Sequence, residues 1–206
     1  MLVLIVIGVG AWTTATSPAT PSGTKTGALS EAVLPTDWTT GSNTATVSLV
    51  EYSDLQCPAC GAYHPILKKV LEDNKNVLAF TYRHFPLPQH KNALAAAYAA
   101  EAAGAQGKFW EMHDMIFEHQ ADWSEANTAE ATFEDYAATL GLDLARYRAD
   151  RDSDTIKANV AHDKETGLAS GVNATPSFYL NGKKVTTNPR SAEDFTALIK
   201  EAQAHE

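Results

Sequence analysis

The 206-residue chain is poor in cysteine and in positive charge: two Cys, and 16 Lys plus Arg against 25 Asp plus Glu. Two cysteines close at most one internal bridge, so a disulfide-stapled mini-protein is excluded; a chain this long buries its own core. The formal net charge of −9 argues against a nucleic-acid binder, which needs a basic face to neutralise phosphates. No internal repeat is visible. What is present is a globular balance, 44% hydrophobic and 20% charged residues, enough for one ordinary domain with an appendage.

Residues Met1 to Trp12, MLVLIVIGVGAW, carry no charge at all. As a helix, Leu2 to Trp12 would span about 16 Å, roughly half of a hydrocarbon core of about 30 Å. Residues 1–17 therefore read as a signal anchor that starts upstream of this reading frame, or as a cleaved signal peptide; a buried strand or helix is the third option. The first two both export the rest of the chain, and its acidic character does not oppose that direction. Thr13 to Ser30 is built almost wholly of Thr, Ser, Ala, Pro and Gly, which bury too little apolar surface to offset the entropy of ordering them. Residues 18–44 are accordingly expected to be a flexible tether and lead-in to a domain over 45–203.

Ala45 to Ser53, ATVSLVEYS, predicts a buried strand. Cys57-Pro58-Ala59-Cys60 follows at once, and Ile66, Leu67, Val70 and Leu71 then recur at helical spacing. Val77 to Phe85 predicts a second strand, so the domain opens as strand, helix, strand. From about 89 to 171 the pattern is helical and Ala-rich, broken near Gly107, Asp122 to Thr128 and Gly141. Strands return at Ser177 to Asn181 and Lys183 to Thr187 around an Asn181-Gly182 turn, and an amphipathic helix carries Phe195, Leu198 and Ile199. The fold class expected is α/β, one elaborated domain with a helical insertion.

A CxxC pair can be a redox dithiol, half a zinc site or two inert buried residues. A structural zinc site needs four ligands, and no second cysteine pair is present. Placement favours redox chemistry. Cys57 falls at a strand-to-helix junction, where unpaired N–H groups and the helix dipole stabilise a thiolate. Cys60 lies one turn on, within disulfide reach, and Pro58 suits the first turn because its missing N–H costs nothing there. A single exported dithiol also fits an oxidising compartment.

The stretch VEYSDLQCPACGAYHP, Val50 to Pro65, resembles the active-site segment of DsbA-like thiol:disulfide oxidoreductases of the thioredoxin superfamily. AAAYAAEAAGAQGKFWEMHDMIF, Ala95 to Phe117, resembles their helical insertion, and GVNATPSFYLNGKKV, Gly171 to Val185, the segment around their cis-proline. The likeness is closer to the membrane-anchored branch than to the soluble enzyme. It implies a thioredoxin-like fold with the insertion between its βαβ and ββα halves.

The resemblance also implies roles. Cys57 would be the exposed nucleophile and Cys60 the buried resolving thiol, with Pro58 and Ala59 between them tuning the pair. Thr175-Pro176 would be the cis-proline dipeptide facing the cysteines and presenting main chain to a substrate strand; the alternative is a trans proline opening an edge strand. Glu51 would be the buried acid that relays a proton to and from Cys60, against a Glu51 facing water. His64 and His113 read as surface or packing residues, and Phe109, Trp110, Met112 and Phe117 as core of the insertion.

Disulfide formation in exported proteins is the expected function, with no metal and no cofactor beyond the Cys57–Cys60 disulfide. The strongest oxidants of the family carry His in the dipeptide, so an exported reductase or isomerase stays open, as does a peptide-binding module in which redox is incidental. Expected partners are reduced or unfolded exported proteins and a membrane redox protein that recycles the dithiol. A monomer outside the cytoplasm is expected, membrane-anchored or secreted.

Overall fold

The β-branched and apolar run VSLVEYS forms a central strand, and the chain around it builds a five-stranded sheet in a computed structural model that describes residues 27–204. The signal or anchor expected at 1–17, and the tether up to residue 26, lie outside the described residues. Among the described residues no helix is long and apolar enough to cross a membrane. The elements run β1 (Trp38–Gly41), β2 (Val47–Ser53), α1 (Pro58–Asp73), β3 (Leu78–His84), α2 (Ala93–Gly104), α3 (Phe109–Glu118), α4 (Gln120–Trp123), α5 (Glu130–Thr139), α6 (Leu144–Arg151), α7 (Asp154–Ala169), β4 (Ser177–Leu180), β5 (Lys183–Lys184) and α8 (Ala192–Ala204).

The sheet order is β1-β3-β2-β4-β5. Only β2 and β3 are parallel, from Val47 opposite Leu78 to Ser53 opposite His84, as a strand–helix–strand crossover requires. β4 lies antiparallel to β2 with Tyr52 opposite Ser177. That register brings the residues just before β4 to the same sheet end as the residues just after β2. The two ends of the expected site, over a hundred residues apart, meet for this reason. β4 turns into β5 through Asn181 and Gly182, both at positive φ (46° and 76°), the conformation of a tight hairpin.

Both faces of β2 are covered. Val47 and Leu49 pack with Phe80 and Tyr82 against Cys60, Leu67 and Val70 of α1 and Phe195 and Ile199 of α8. Val50 and Tyr52 turn the other way, onto Phe85, Val172 and Tyr179. Gly167 lets α7 press on this second face, since a Cβ there would sit 2.7 Å from the Phe85 ring. The insertion, α2 to α7, is organised around α2, on which α3, α5, α6 and α7 all pack. Its buried face is almost wholly alanine, and such short side chains let four helices approach one axis.

No strand is expected before Ala45, yet β1 pairs antiparallel with β3. WTTG is too short to show a period. It is held by long-range contacts: Trp38 stacks on Phe109 at 4.3 Å and donates its indole N–H to Glu101 at 2.6 Å. Just ahead of it, the buried Arg83 guanidinium reaches Asp37 at 2.8 Å, the Tyr52 hydroxyl at 2.9 Å and the carbonyl oxygens of Glu31 and Ala32. Ala28 bridges Lys183 at the opposite edge. Residues 27–41, grouped above with the tether and lead-in, are thus bound to the domain along their length.

Candidate active site

Asp54, Leu55 and Gln56 carry the chain from β2 to α1, with Cys57 at the N-cap and Pro58 in the first turn. No side chain caps this helix, so its first N–H groups are free to face the Cys57 sulfur. Both cysteines are free thiols. The Cys57 thiol is lowered from 9.0 to about 5, first by a hydrogen bond from the Cys60 thiol. Burial opposes this, while the Thr175 side chain and the N–H groups of Cys60 and Ala59 assist it. Cys60 is pushed well above its ordinary value by burial, by its bond to Cys57 and by the nearby Glu51 and Cys57 charges. One sulfur of the pair therefore holds the negative charge and the other holds the proton.

The expected exposed nucleophile is largely covered. Cys57 is 7% exposed against 1% for Cys60, because the segment before β4 lies over it, with the Cys57 Sγ 3.5 Å from the Thr175 carbonyl oxygen. The Thr175–Pro176 peptide bond is cis. Pro58 and Ala59 stand exposed beside the pair.

Glu51 is buried and does not face water. Its neighbour Val50 is fully buried on the other face, and Glu51 itself is 2% exposed, on the side of α1. Burial raises its carboxyl from 4.5 to about 8; the Ser53 hydroxyl works against this and the Cys57 charge adds to it. Glu51 and Cys60 line a cavity of about 160 Å³, whose remaining wall includes His64, Lys68, Trp110, His113, Asp114 and Phe117. His64 and His113 are thus buried residues of this cavity rather than surface residues.

The loop before Cys57 is fixed by residues that no motif announces. Asp54 is wholly buried and accepts bonds from the Leu87 N–H and from His90 Nδ1, each within 2.8 Å. Gln56 accepts from the Asn92 N–H at 2.6 Å and donates to the Ser124 carbonyl at 2.7 Å. Gln120 donates to the carbonyl oxygens of Leu55 and Cys57 at 2.7 and 3.0 Å. Gly61 makes that reach possible, since a Cβ there would lie 2.7 Å from the Gln120 side-chain oxygen. The insertion therefore clamps the loop before Cys57 from outside. Polar residues flanking a CxxC were the one signal available for Asp54 and Gln56; for Gln120 there was none.

A family model described as thioredoxin matches residues 34–201, nearly the whole described domain. The chain belongs to the thioredoxin family. Among solved structures this thioredoxin-family chain is similar to BdbD from Bacillus subtilis, with a TM-score of 0.71 at 23% identity over 82% of this chain and 93% of that one. It is similar to alpha-DsbA1 from Wolbachia pipientis, with a TM-score of 0.73 at 22% identity over 84% and 94%. Pseudomonas aeruginosa DsbA2 gives a TM-score of 0.66 at 25% identity over 85% and 97%. The fold, including the helical insertion, is that of DsbA-type proteins. In sequence, the chain is 39% identical over 149 residues to the Na(+)/H(+) antiporter NhaA 1 of Salinispora arenicola, covering 72% of this chain but 22% of that protein. NhaA 3 of Salinispora tropica is 37% identical over 169 residues, 25% of its length. The chain spans about a quarter of the curated relatives it matches.

Proposed function

We propose that this chain is a thiol:disulfide oxidoreductase that introduces disulfides into exported proteins through Cys57 and Cys60. The observation that carries the proposal is the placement of the pair, Cys57 at the uncapped start of α1 beside Thr175 and Cys60 buried one turn on, which pushes the Cys57 thiol down and the Cys60 thiol up. A stabilised Cys57 thiolate stabilises the reduced protein, which makes the disulfide form an electron acceptor. The downward shift of Cys57 is in the direction of an oxidant, and the dipeptide Pro58-Ala59, which lacks a histidine, makes it a milder one.

In the oxidised protein a substrate thiolate attacks the Cys57 sulfur. The Cys57–Cys60 bond breaks and Cys60 leaves with the electron pair. Glu51, neutral below about pH 8, gives its proton to that buried thiolate as it forms. The mixed disulfide on Cys57 is then attacked at the substrate's sulfur by a second substrate thiolate. Cys57 departs as the stabilised thiolate, and the substrate has lost two electrons. Main chain at Thr175, beside the Cys57 sulfur, would align the substrate strand, with Pro176 holding that loop in place. A membrane redox partner outside the cytoplasm would accept the electrons, and no cofactor beyond the dithiol enters the cycle. Antiport belongs to relatives of which this chain matches about a quarter and is not proposed for this chain.

The test is the reduction potential of the Cys57–Cys60 couple, equilibrated against glutathione. A value well above the roughly −270 mV of thioredoxin supports oxidation of substrates. A value at or below it would assign the chain to reduction instead.

A further inference from the structure

Two imidazoles in the cavity behind the cysteine pair have no part in the exchange chemistry. His64 lies one turn after Cys60 on α1, His113 faces it from α3, and their ring centroids are 5.5 Å apart. They are 6% and 5% exposed, and in both the Nε2 atom is buried with no hydrogen-bond partner among the described residues. Asp114 stands between them: its Oδ1 lies 3.0 Å from His113 Nδ1 and 3.7 Å from His64 Nε2. One donor atom from each of the three residues falls within 4.8 Å of the others.

We infer that His64, His113 and Asp114 form a binding site for a divalent transition-metal ion of the zinc class. Two imidazole nitrogens and one carboxylate oxygen are a donor set for zinc and its first-row neighbours, whereas magnesium and calcium take oxygen ligands. Three protein ligands leave a fourth position open toward the cavity. Burial keeps both rings neutral, His64 lowered to about 4 and His113 also below its ordinary value, so a nitrogen lone pair is available on each. Ligands of a tetrahedral ion lie roughly 3.3 Å apart, given metal–nitrogen bonds of about 2.0–2.1 Å. The three donor atoms, within 4.8 Å of one another, would have to close to that spacing around the ion.

Among the described residues Lys68 is the one Lys or Arg lining the cavity. It sits 3.2 Å from Asp114 Oδ2, the outer oxygen, and 2.9 Å from Glu118 Oε1. It leaves Oδ1 facing the imidazoles, and being half-exposed it can stay on Glu118 when an ion enters. Glu118 Oε1, 3.9 Å from His64 Nε2, adds negative charge on the same side. Binding would replace the His113–Asp114 hydrogen bond, with the ring proton of the neutral imidazole carried on its other nitrogen.

The test uses the disulfide form of the described domain's full chain, in which neither sulfur can act as a thiolate ligand. Zn²⁺ is titrated calorimetrically and Co²⁺ by its visible absorption. One ion per chain should bind in the micromolar range, with Co²⁺ bands of four-coordinate intensity. His64→Gln and Asp114→Asn should each weaken binding by at least about tenfold while the circular dichroism stays that of the parent. Asp114 is partly exposed, so its variant serves if the buried histidine change disturbs folding. No saturable binding overturns the inference. So does binding equal in parent and variants, which would place the ion on surface carboxylates, and so does binding confined to the reduced protein, which would place it on the cysteine pair.

Discussion

Glu51→Gln probes the buried acid without involving the thiols as probes. The carboxyl rises from 4.5 to about 8 on folding, chiefly because burial penalises its charged form. Below pH 4.5 the folded and unfolded chains both hold the proton, and the residue adds nothing to pH dependence. Between 4.5 and 8 the unfolded chain ionises while the folded one stays protonated, so stability falls by about 1.4 kcal/mol per pH unit. Above pH 8 the loss levels off at about 5 kcal/mol, and at pH 7 it stands near 3 kcal/mol. Cys57 acts in the opposite sense in the reduced protein. Its thiol is depressed from 9.0 to about 5, so its contribution is present above pH 9 and lost as pH falls through 5. Only the difference between parent and variant isolates Glu51. Denaturant unfolding of both reduced proteins at pH 5, 6, 7, 8 and 9 should show the variant gaining on the parent up to pH 8 and then running parallel. A buried glutamine has its own hydrogen-bonding cost, but that offset is the same at every pH, so the slope is the test. Parallel curves across pH 5 to 8 would refute the assignment of Glu51 as a buried neutral acid. The same variant should slow disulfide exchange, since Cys60 would then leave as an unneutralised thiolate.

Brief alkylation of the reduced protein should modify Cys57 well before Cys60, with a rate that titrates near pH 5; equal labelling at both positions would contradict the split between the thiols. Cys60→Ala should accumulate mixed disulfides with exported proteins on non-reducing gels, while Cys57→Ala should accumulate none; adducts in neither variant would exclude exchange through Cys57. Arg83→Leu strips the partner from Asp37 and from the carbonyl oxygens of Glu31 and Ala32. It should cost about 3–5 kcal/mol and open residues 27–41 to limited proteolysis, and unchanged stability and cleavage would show that this buried cluster does not hold the lead-in.

Legibility in the sequence followed the range over which each feature is determined. β2, α1, β3 and the hairpin at Asn181-Gly182 are local: a β-branched run, a helical period and a turn pair specify them within a few residues. The breaks in the insertion near Gly107 and Gly141 are likewise local, and both glycines sit at positive φ. β1 is the opposite case. Four residues reading Trp-Thr-Thr-Gly become a strand only because Trp38 finds Phe109 and Arg83 finds Asp37 across the fold. No window of the sequence contains that information.

The candidate site divides in the same way, and the division explains why its chemistry was only partly foreseen. Cys57 and Cys60 announce themselves by spacing, and Thr175-Pro176 by resemblance. Glu51 could not be oriented from alternation because β2 is buried on both faces, so the usual inference from period two to solvent has no solvent side to point at. Its environment is set by α1, Pro58–Asp73, and by the cavity wall that α3, Phe109–Glu118, supplies much further along the chain. The same wall turns His64 and His113 inward, although each lies on a helix among charged neighbours that mark a surface: Lys68 on α1, Asp114 and Glu118 on α3. Those charges do face water at the rim, one turn or one residue away from the buried rings. A mixed helix face of this kind reads as exterior in sequence, and packing α1 against α3 converts its inner edge into the lining of the space behind the dithiol. Whatever that space holds, a proton on Glu51 or an ion on the two imidazoles, is decided by helix packing rather than by the CxxC motif.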